Sequence, residues 1–109
     1  ADMVFDVRFI PNPYYVDKLR PLTGEDPGVS DYVMQFPITE AFLAKATDLI
    51  TTLIPGYARE GKARLTVGIG CTGGQHRSVA VAIALHDSLK KLDVAVTLRH
   101  RERSAAPTV

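Results

Sequence analysis

Thr66-Val67-Gly68-Ile69-Gly70-Cys71-Thr72-Gly73-Gly74-Gln75-His76-Arg77-Ser78 decides how this chain reads. An apolar run gives way to a glycine-rich turn, and the turn leads into a helical pattern. Strand, turn and helix start in that order aim several backbone N–H groups at one point, where the helix dipole adds partial positive charge. Thr72 and Ser78 add hydroxyl donors. Arg77 adds a planar fork matched to phosphate oxygens, and His76 adds a donor or a second charge. The loop reads as an anion site, for the phosphate of a small metabolite.

Outward from this loop the pattern alternates strand and helix. Leu65 to Gly70 is apolar on both faces, as an inner parallel strand is. Gly74 to Leu92 is helical, with Val79, Ala82, Ile83, Leu85 and Leu89 apolar. Asp93 to Leu98 reads as a further strand, and Arg99 to Val109 as a polar, fraying tail. Upstream, Met3 to Ile10 reads as the first strand, stopped by Pro11-Asn12-Pro13. Tyr14 to Glu25 is irregular. Asp26-Pro27 starts a short helix over Gly28 to Phe36. A long helix follows, with Thr39 as its cap and Phe42, Leu43, Ala46, Leu49, Ile50, Leu53 and Ile54 on one face. Pro55 is expected to kink or end it, and Gly61 to terminate whatever continues. The order β–α–α–β–α–β predicts a small three-layer α/β domain with a mainly parallel sheet and helices on both faces.

In such sheets ligands bind beyond the carboxyl ends of the strands. The first strand ends at Ile10-Pro11-Asn12-Pro13 and the second at the Cys71 loop, so both open onto one rim. Asp6 and Arg8 share a strand face two residues apart. They either pair with each other or bind sugar hydroxyls and a phosphate. The rigid Pro-Asn-Pro turn favours binding, and with Asn12 and Tyr14 they join the candidate site.

The chain has 109 residues, 46% hydrophobic and 23% charged, with a formal net charge of +1. That is enough for one self-supporting domain. It starts with Ala1 and enters a strand almost at once, which reads as a domain cut from a longer protein. Cys71 is the one cysteine, so no internal disulfide forms; this fits a reducing compartment, most simply a cytoplasm. No run of about 18 apolar residues marks a membrane span. His76, His86 and His100 are spaced too widely for a metal set, and no cofactor is expected. Gly56 to Ala63 is a near miss for a nucleotide P-loop. It lacks the Ser or Thr that holds magnesium and runs from helix to strand. Lys62 and Arg64 there read as solvated charges.

Two other functions remain open at this point. Cys71-x5-Arg77 matches the spacing of tyrosine-phosphatase-like enzymes, in which a thiolate attacks phosphorus. Against it, Gly70 stands where those enzymes usually carry His, and no aspartate announces itself as the acid. The alternative for Cys71 is a small buried residue beside a phosphate cradle. Lys90, Lys91, Arg99, Arg101 and Arg103 form a modest basic cluster for RNA phosphates or an acidic partner. The plainer reading is a solvated helix end and tail, and no aromatic stacking platform accompanies the cluster.

Three stretches together resemble a known family. They are Phe5-Asp6-Val7-Arg8-Phe9-Ile10-Pro11-Asn12-Pro13, Leu19-Arg20-Pro21-Leu22-Thr23-Gly24 and Gly68 through Ser78, with Arg99-His100-Arg101 beyond. Their order and spacing resemble the C-terminal domain of the RapZ family, bacterial RNase adapter proteins. The resemblance implies a domain over residues 1–103, with 104–109 as a flexible tail, and a fold similar to a sugar-phosphate-binding part of phosphofructokinase. It implies a non-enzymatic sensor of glucosamine-6-phosphate whose enterobacterial relatives bind small RNAs and present them to an endoribonuclease. It also implies assembly into homo-oligomers. The family's nucleotide site lies in an N-terminal P-loop domain not in this sequence. At matching positions the implied metabolite-site residues are Asp6, Arg8, Asn12, Thr72, Gly73, His76 and Arg77; Cys71, Gly74 and Ser78 complete the loop. Tyr14 stands where a histidine is frequent, and Gln75 where a lysine is.

Overall fold

In the computed structural model the described residues are 2–62, 64–70 and 76–92. Strand β1 (Met3–Asp6) is followed by a 3-10 turn (Pro13–Tyr15), helices α1 (Pro27–Met34) and α2 (Pro37–Arg59), strand β2 (Val67–Gly70) and helix α3 (Arg77–Lys91). The two strands run parallel, with Met3 opposite Val67 and Asp6 opposite Gly70. Parallel neighbours need a long crossover, and α1 with α2 supplies it. The α/β class read from the sequence therefore holds. The strand expected over 93–98 and the tail over 99–109 lie outside the described residues, as does the loop 71–75.

Both strands are shorter than the sequence suggests. The ladder closes with Val7 N donating to Gly70 O at 2.9 Å, and Ile10 N then turns back to Val7 O at 3.2 Å. The Asp6 carboxylate drives the exit, because Oδ1 captures the Arg8 N–H at 3.0 Å. At the other end, Thr66 O accepts from Asp2 N at 2.8 Å and from Met3 N at 3.2 Å. Asp2 Oδ2 accepts from Thr66 N at 2.8 Å. Asp2 also pairs with Lys62 at 2.9 Å, so Lys62 is not the freely solvated charge expected.

Helix α1 begins as read, with Asp26 as N-cap accepting from Gly28 N and Pro27 at the first position. In α2 the expected cap fails. Phe36 is the N-cap residue, and Pro37 opens the helix. Thr39 lies fully buried within the first turn, and its hydroxyl donates to Val33 O at 2.8 Å. It ties α2 to α1 rather than capping a terminus. Pro55 does not end α2 either; the helix runs on to Arg59. The proline withdraws one bond near the terminus, and the left-handed Gly61, at φ +84°, ends the segment. Thr39, Leu43, Ala46 and Ile50 form the buried stripe of α2. They pack in one core with Val7 and Ile10 after β1, Val29 and Val33 of α1, and Val81, Leu85 and Leu89 of α3.

Gly24 is the tightest point of the fold. A Cβ there would overlap the backbone at Ala80 N and His76 O and lie 2.8 Å from Val79 Cβ. The loop before α1 thus lies directly on the first turn of α3, and only glycine permits it.

Two predictions follow from this packing. Gly24→Ala is expected to cost at least about 2 kcal/mol, since backbone cannot yield as a side chain can. The melting temperature should fall by roughly 8–16 °C. Gly56→Ala, in a helix with only Arg59 Nη2 at 3.8 Å, is expected to gain about 0.5–1 kcal/mol. A third prediction concerns acid. The Lys62 bond and then the Thr66 N–H hold the Asp2 carboxyl below its ordinary 3.8. A carboxyl depressed in the folded state stabilises above the unfolded value and loses that contribution as pH falls through the folded one. Thermal melts should therefore show Asp2→Asn less stable than wild type near neutrality, with the difference closing below pH 3.8.

Candidate functional site

The carboxyl ends of β1 and β2 open onto one rim, and the first turn of α3 projects across it. His76, Arg77 and Ser78 are 5%, 5% and 6% exposed. They are buried because α3 starts under the segment that leaves β1. Arg77 Nη1 donates to Arg8 O at 3.0 Å and Ile10 O at 2.9 Å. Those carbonyls lie just past the ladder, where no strand partner among the described residues serves them. The same guanidinium has a second face: Nε is buried and has no hydrogen-bond partner among the described residues. The sequence reading aimed the whole fork at a ligand, whereas one nitrogen is committed to backbone.

His76 occupies the N-cap position of α3 without capping it. Its Nε2 lies 3.1 Å from both Leu19 O and Arg20 O. Carbonyls only accept, so Nε2 carries the hydrogen and Nδ1 is left as the other ring atom. Consecutive residues thus hold both ends of one loop: Arg77 grips it at Arg8 and Ile10, and His76 at Leu19 and Arg20.

Asp6 and Arg8 pair with each other. Arg8 Nε donates to Oδ1 at 3.0 Å and Oδ2 at 2.8 Å, and Nη2 reaches Oδ2 at 2.6 Å. The Arg8 side chain and then its N–H lower the Asp6 pKa, while Asp6 raises that of Arg8. Both side chains remain more than half exposed, at 52% and 64%. Asn12 caps the 3-10 turn, its Oδ1 accepting from Tyr14 N at 3.0 Å. Tyr14 lies edge-on to His76, ring centroids 6.4 Å apart.

The structure therefore brings Asp6, Arg8, Asn12, Tyr14, His76 and Arg77 to one end of the sheet. Cys71, Thr72, Gly73 and Gly74 lie outside the described residues, so the phosphatase reading rests on residues not described. Lys90 and Lys91 are exposed in the last turn of α3, where cations complement the negative helix end. Arg99, Arg101 and Arg103 lie outside the described residues. Among the described residues no three of His, Cys, Asp and Glu could hold a metal, and no helix is long and apolar enough to cross a membrane. A groove of about 170 Å³ lined by Phe5, Phe42, Lys45, Ala46 and Leu49 is almost wholly apolar and offers an anion only the lysine.

Sequence reasoning missed Arg20 and Gly24. Arg20 Nε donates to Tyr14 O at 2.8 Å, and its guanidinium carbon lies 5.0 Å from the centroid of the Tyr14 ring. The signal was present in Leu19-Arg20-Pro21-Leu22-Thr23-Gly24, whose proline and glycine mark a shaped loop.

Comparison with known proteins agrees with this architecture. Residues 1–104 match the RapZ C-terminal domain family. The chain is 59% identical over 102 residues to a nucleotide-binding protein of Caldanaerobacter subterraneus subsp. tengcongensis, covering 94% of this chain and 36% of that protein. It is 56% identical over 102 residues to one of Bacillus licheniformis, covering 94% and 34%. It is 55% identical over 103 residues to one of Staphylococcus haemolyticus, again covering 94% and 34%. The chain spans about a third of the length of these relatives, as their C-terminal part. The chain therefore belongs to the RapZ C-terminal domain family.

Proposed function

We propose that this domain is a non-enzymatic sensor that binds a phosphorylated amino sugar, of the glucosamine-6-phosphate kind, at the rim beyond β1 and β2. The observation that carries the reading is the buried Arg77 Nε, which lacks a partner among the described residues. A buried, charged donor left unmade is costly, and an anionic oxygen satisfies it. The position of Arg77 supports the same reading. A cation in the first turn of a helix sits at the unfavourable end of the dipole, and a bound phosphate would offset both charges.

The neighbouring groups suit the rest of such a ligand. Asp6 is a carboxylate whose pKa is lowered, so it is ionised at neutral pH and suits an ammonium or a hydroxyl. Asn12 has spent Oδ1 on Tyr14 N, so its amide N–H donors serve the sugar. Thr72, Gly73, Gly74 and Ser78 would complete the phosphate cradle, with Cys71 a small residue at its base. Family membership supports an adapter role: the domain would pass occupancy to RNA or a protein partner, with Lys90, Lys91, Arg99, Arg101 and Arg103 as the contact surface. Charge contacts of that kind weaken steeply with salt.

Calorimetry with glucosamine-6-phosphate tests the reading. Binding in the micromolar to millimolar range is expected, roughly −8 to −4 kcal/mol. Arg77→Lys keeps a charge but loses the fork, and should weaken binding roughly tenfold to a hundredfold. Because Arg77 also holds backbone, each variant is first melted, and Asp6→Asn serves as a second variant that leaves the core intact. Absence of heat from every hexose phosphate, or undiminished affinity in both folded variants, refutes the proposal.

A further inference from the structure

Beside the rim, one side chain makes three separate contacts with a single short loop. Arg20 Nε donates to Tyr14 O at 2.8 Å, fixing the backbone of the 3-10 turn. Its guanidinium lies over the Tyr14 ring at 5.0 Å, fixing the side chain. Its Nη2 reaches Asp17 Oδ1 at 3.0 Å, which orients the guanidinium. The circuit closes through His76, whose Nε2 donates to Arg20 O at 3.1 Å and whose ring meets the Tyr14 edge at 6.4 Å. Tyr14, Arg20 and His76 thus constrain one another from both backbone and side chain.

These contacts do not look like stability devices. Tyr14 is 49% exposed and the Arg20 side chain 44% exposed. Ion pairs and cation–π contacts this open to water add little to folding. What they do provide is a fixed rotamer for an aromatic ring that would otherwise sample several on an exposed loop. Lysine could not replace Arg20, because the geometry uses a planar face and two separate nitrogens of the fork at once.

We propose that Arg20 is a positioning residue: it holds the Tyr14 ring as a wall against which the sugar, rather than the phosphate, is recognised. The proposal rests on the site reading of the preceding subsection and adds a division of labour to it. Arg77 and the loop take the charged oxygens, which any phosphate carries. The Tyr14 ring offers an apolar face to the C–H face of a pyranose, which bare phosphate lacks. Arg20 acts only through Tyr14, so removing either has one consequence.

The test is a set of titrations with inorganic phosphate and with glucosamine-6-phosphate on wild type, Arg20→Gln, Arg20→Lys, Tyr14→Leu and the Arg20→Gln/Tyr14→Leu pair. Melting curves should stay close to wild type for every variant. Arg20→Gln and Tyr14→Leu are each expected to weaken hexose-phosphate binding roughly tenfold, within the coupling range of contacting residues. Phosphate binding should change less than about twofold, within ordinary additivity error for an uninvolved site. Arg20→Lys should not restore affinity, and the double variant should match Tyr14→Leu alone. Additive losses, equal losses for both ligands, or wild-type affinity in Arg20→Gln overturn the role of Arg20 and leave the site standing. A wild type that binds neither ligand overturns the site and this role together.

Discussion

The guanidinium of Arg77, donating to the carbonyls of Arg8 and Ile10, is the interaction on which the rim depends. The chain leaves β1 after only four residues, and its next carbonyls have no ladder to join among the described residues. Burying them without a donor would be costly. A helix starting beneath them places a cationic side chain there, sixty-nine and sixty-seven residues away in sequence. The arrangement is unfavourable for the arginine alone, since the helix start is positive and the side chain is nearly excluded from water. Two carbonyls offset part of that, and the Nε, which has no partner among the described residues, marks the remainder. The proposed function fills this remainder.

A second constraint keeps the same helix turn in place. Gly24 brings the loop before α1 into backbone contact with His76, Val79 and Ala80, while His76 reaches the carbonyls of Leu19 and Arg20. The segment from Arg8 to Gly24 therefore wraps one turn of α3 and is tied to it at its start and end. Such a wrap holds exposed groups, among them Asp6, Arg8 and Tyr14, on a rigid base. Preorganisation of that kind is what a weak-to-moderate metabolite site needs, because ordering a free loop on binding would consume much of the binding energy.

Much of this was legible in the residues, and the exceptions have physical causes. The strand after Thr66, the helix that carries Arg77, the Asp26 cap and the Gly61 stop were readable because each depends on local backbone preference. Thr39 was misread as a cap because a hydroxyl near a helix start can serve either its own terminus or a neighbouring carbonyl. Only the packing of α1 against α2 shows that Val33 O is nearer. Of the two outcomes open to Pro55, ending the helix is not the one taken, because a proline late in a long helix sacrifices a single bond that the rest of the packed helix can bear. The first strand was drawn too long because apolar Val7 and Ile10 look like strand residues, yet they enter the core from a turn. The role of Arg77 was half legible. Its chemistry follows from residue type, but its grip on the β1 exit is a long-range contact that no window of sequence contains. Arg20 and Gly24 were visible only as a shaped loop, since what they touch lies at the start of α3.

The most direct test of the central claim is arginine-selective NMR of the Nε–H group of Arg77, recorded before and after addition of glucosamine-6-phosphate. A slowly exchanging, buried Nε–H is expected in the free domain, moving downfield as the sugar phosphate is added while the Nη1 contacts persist. An Nε–H resonance that does not respond at saturating sugar phosphate would contradict the central claim.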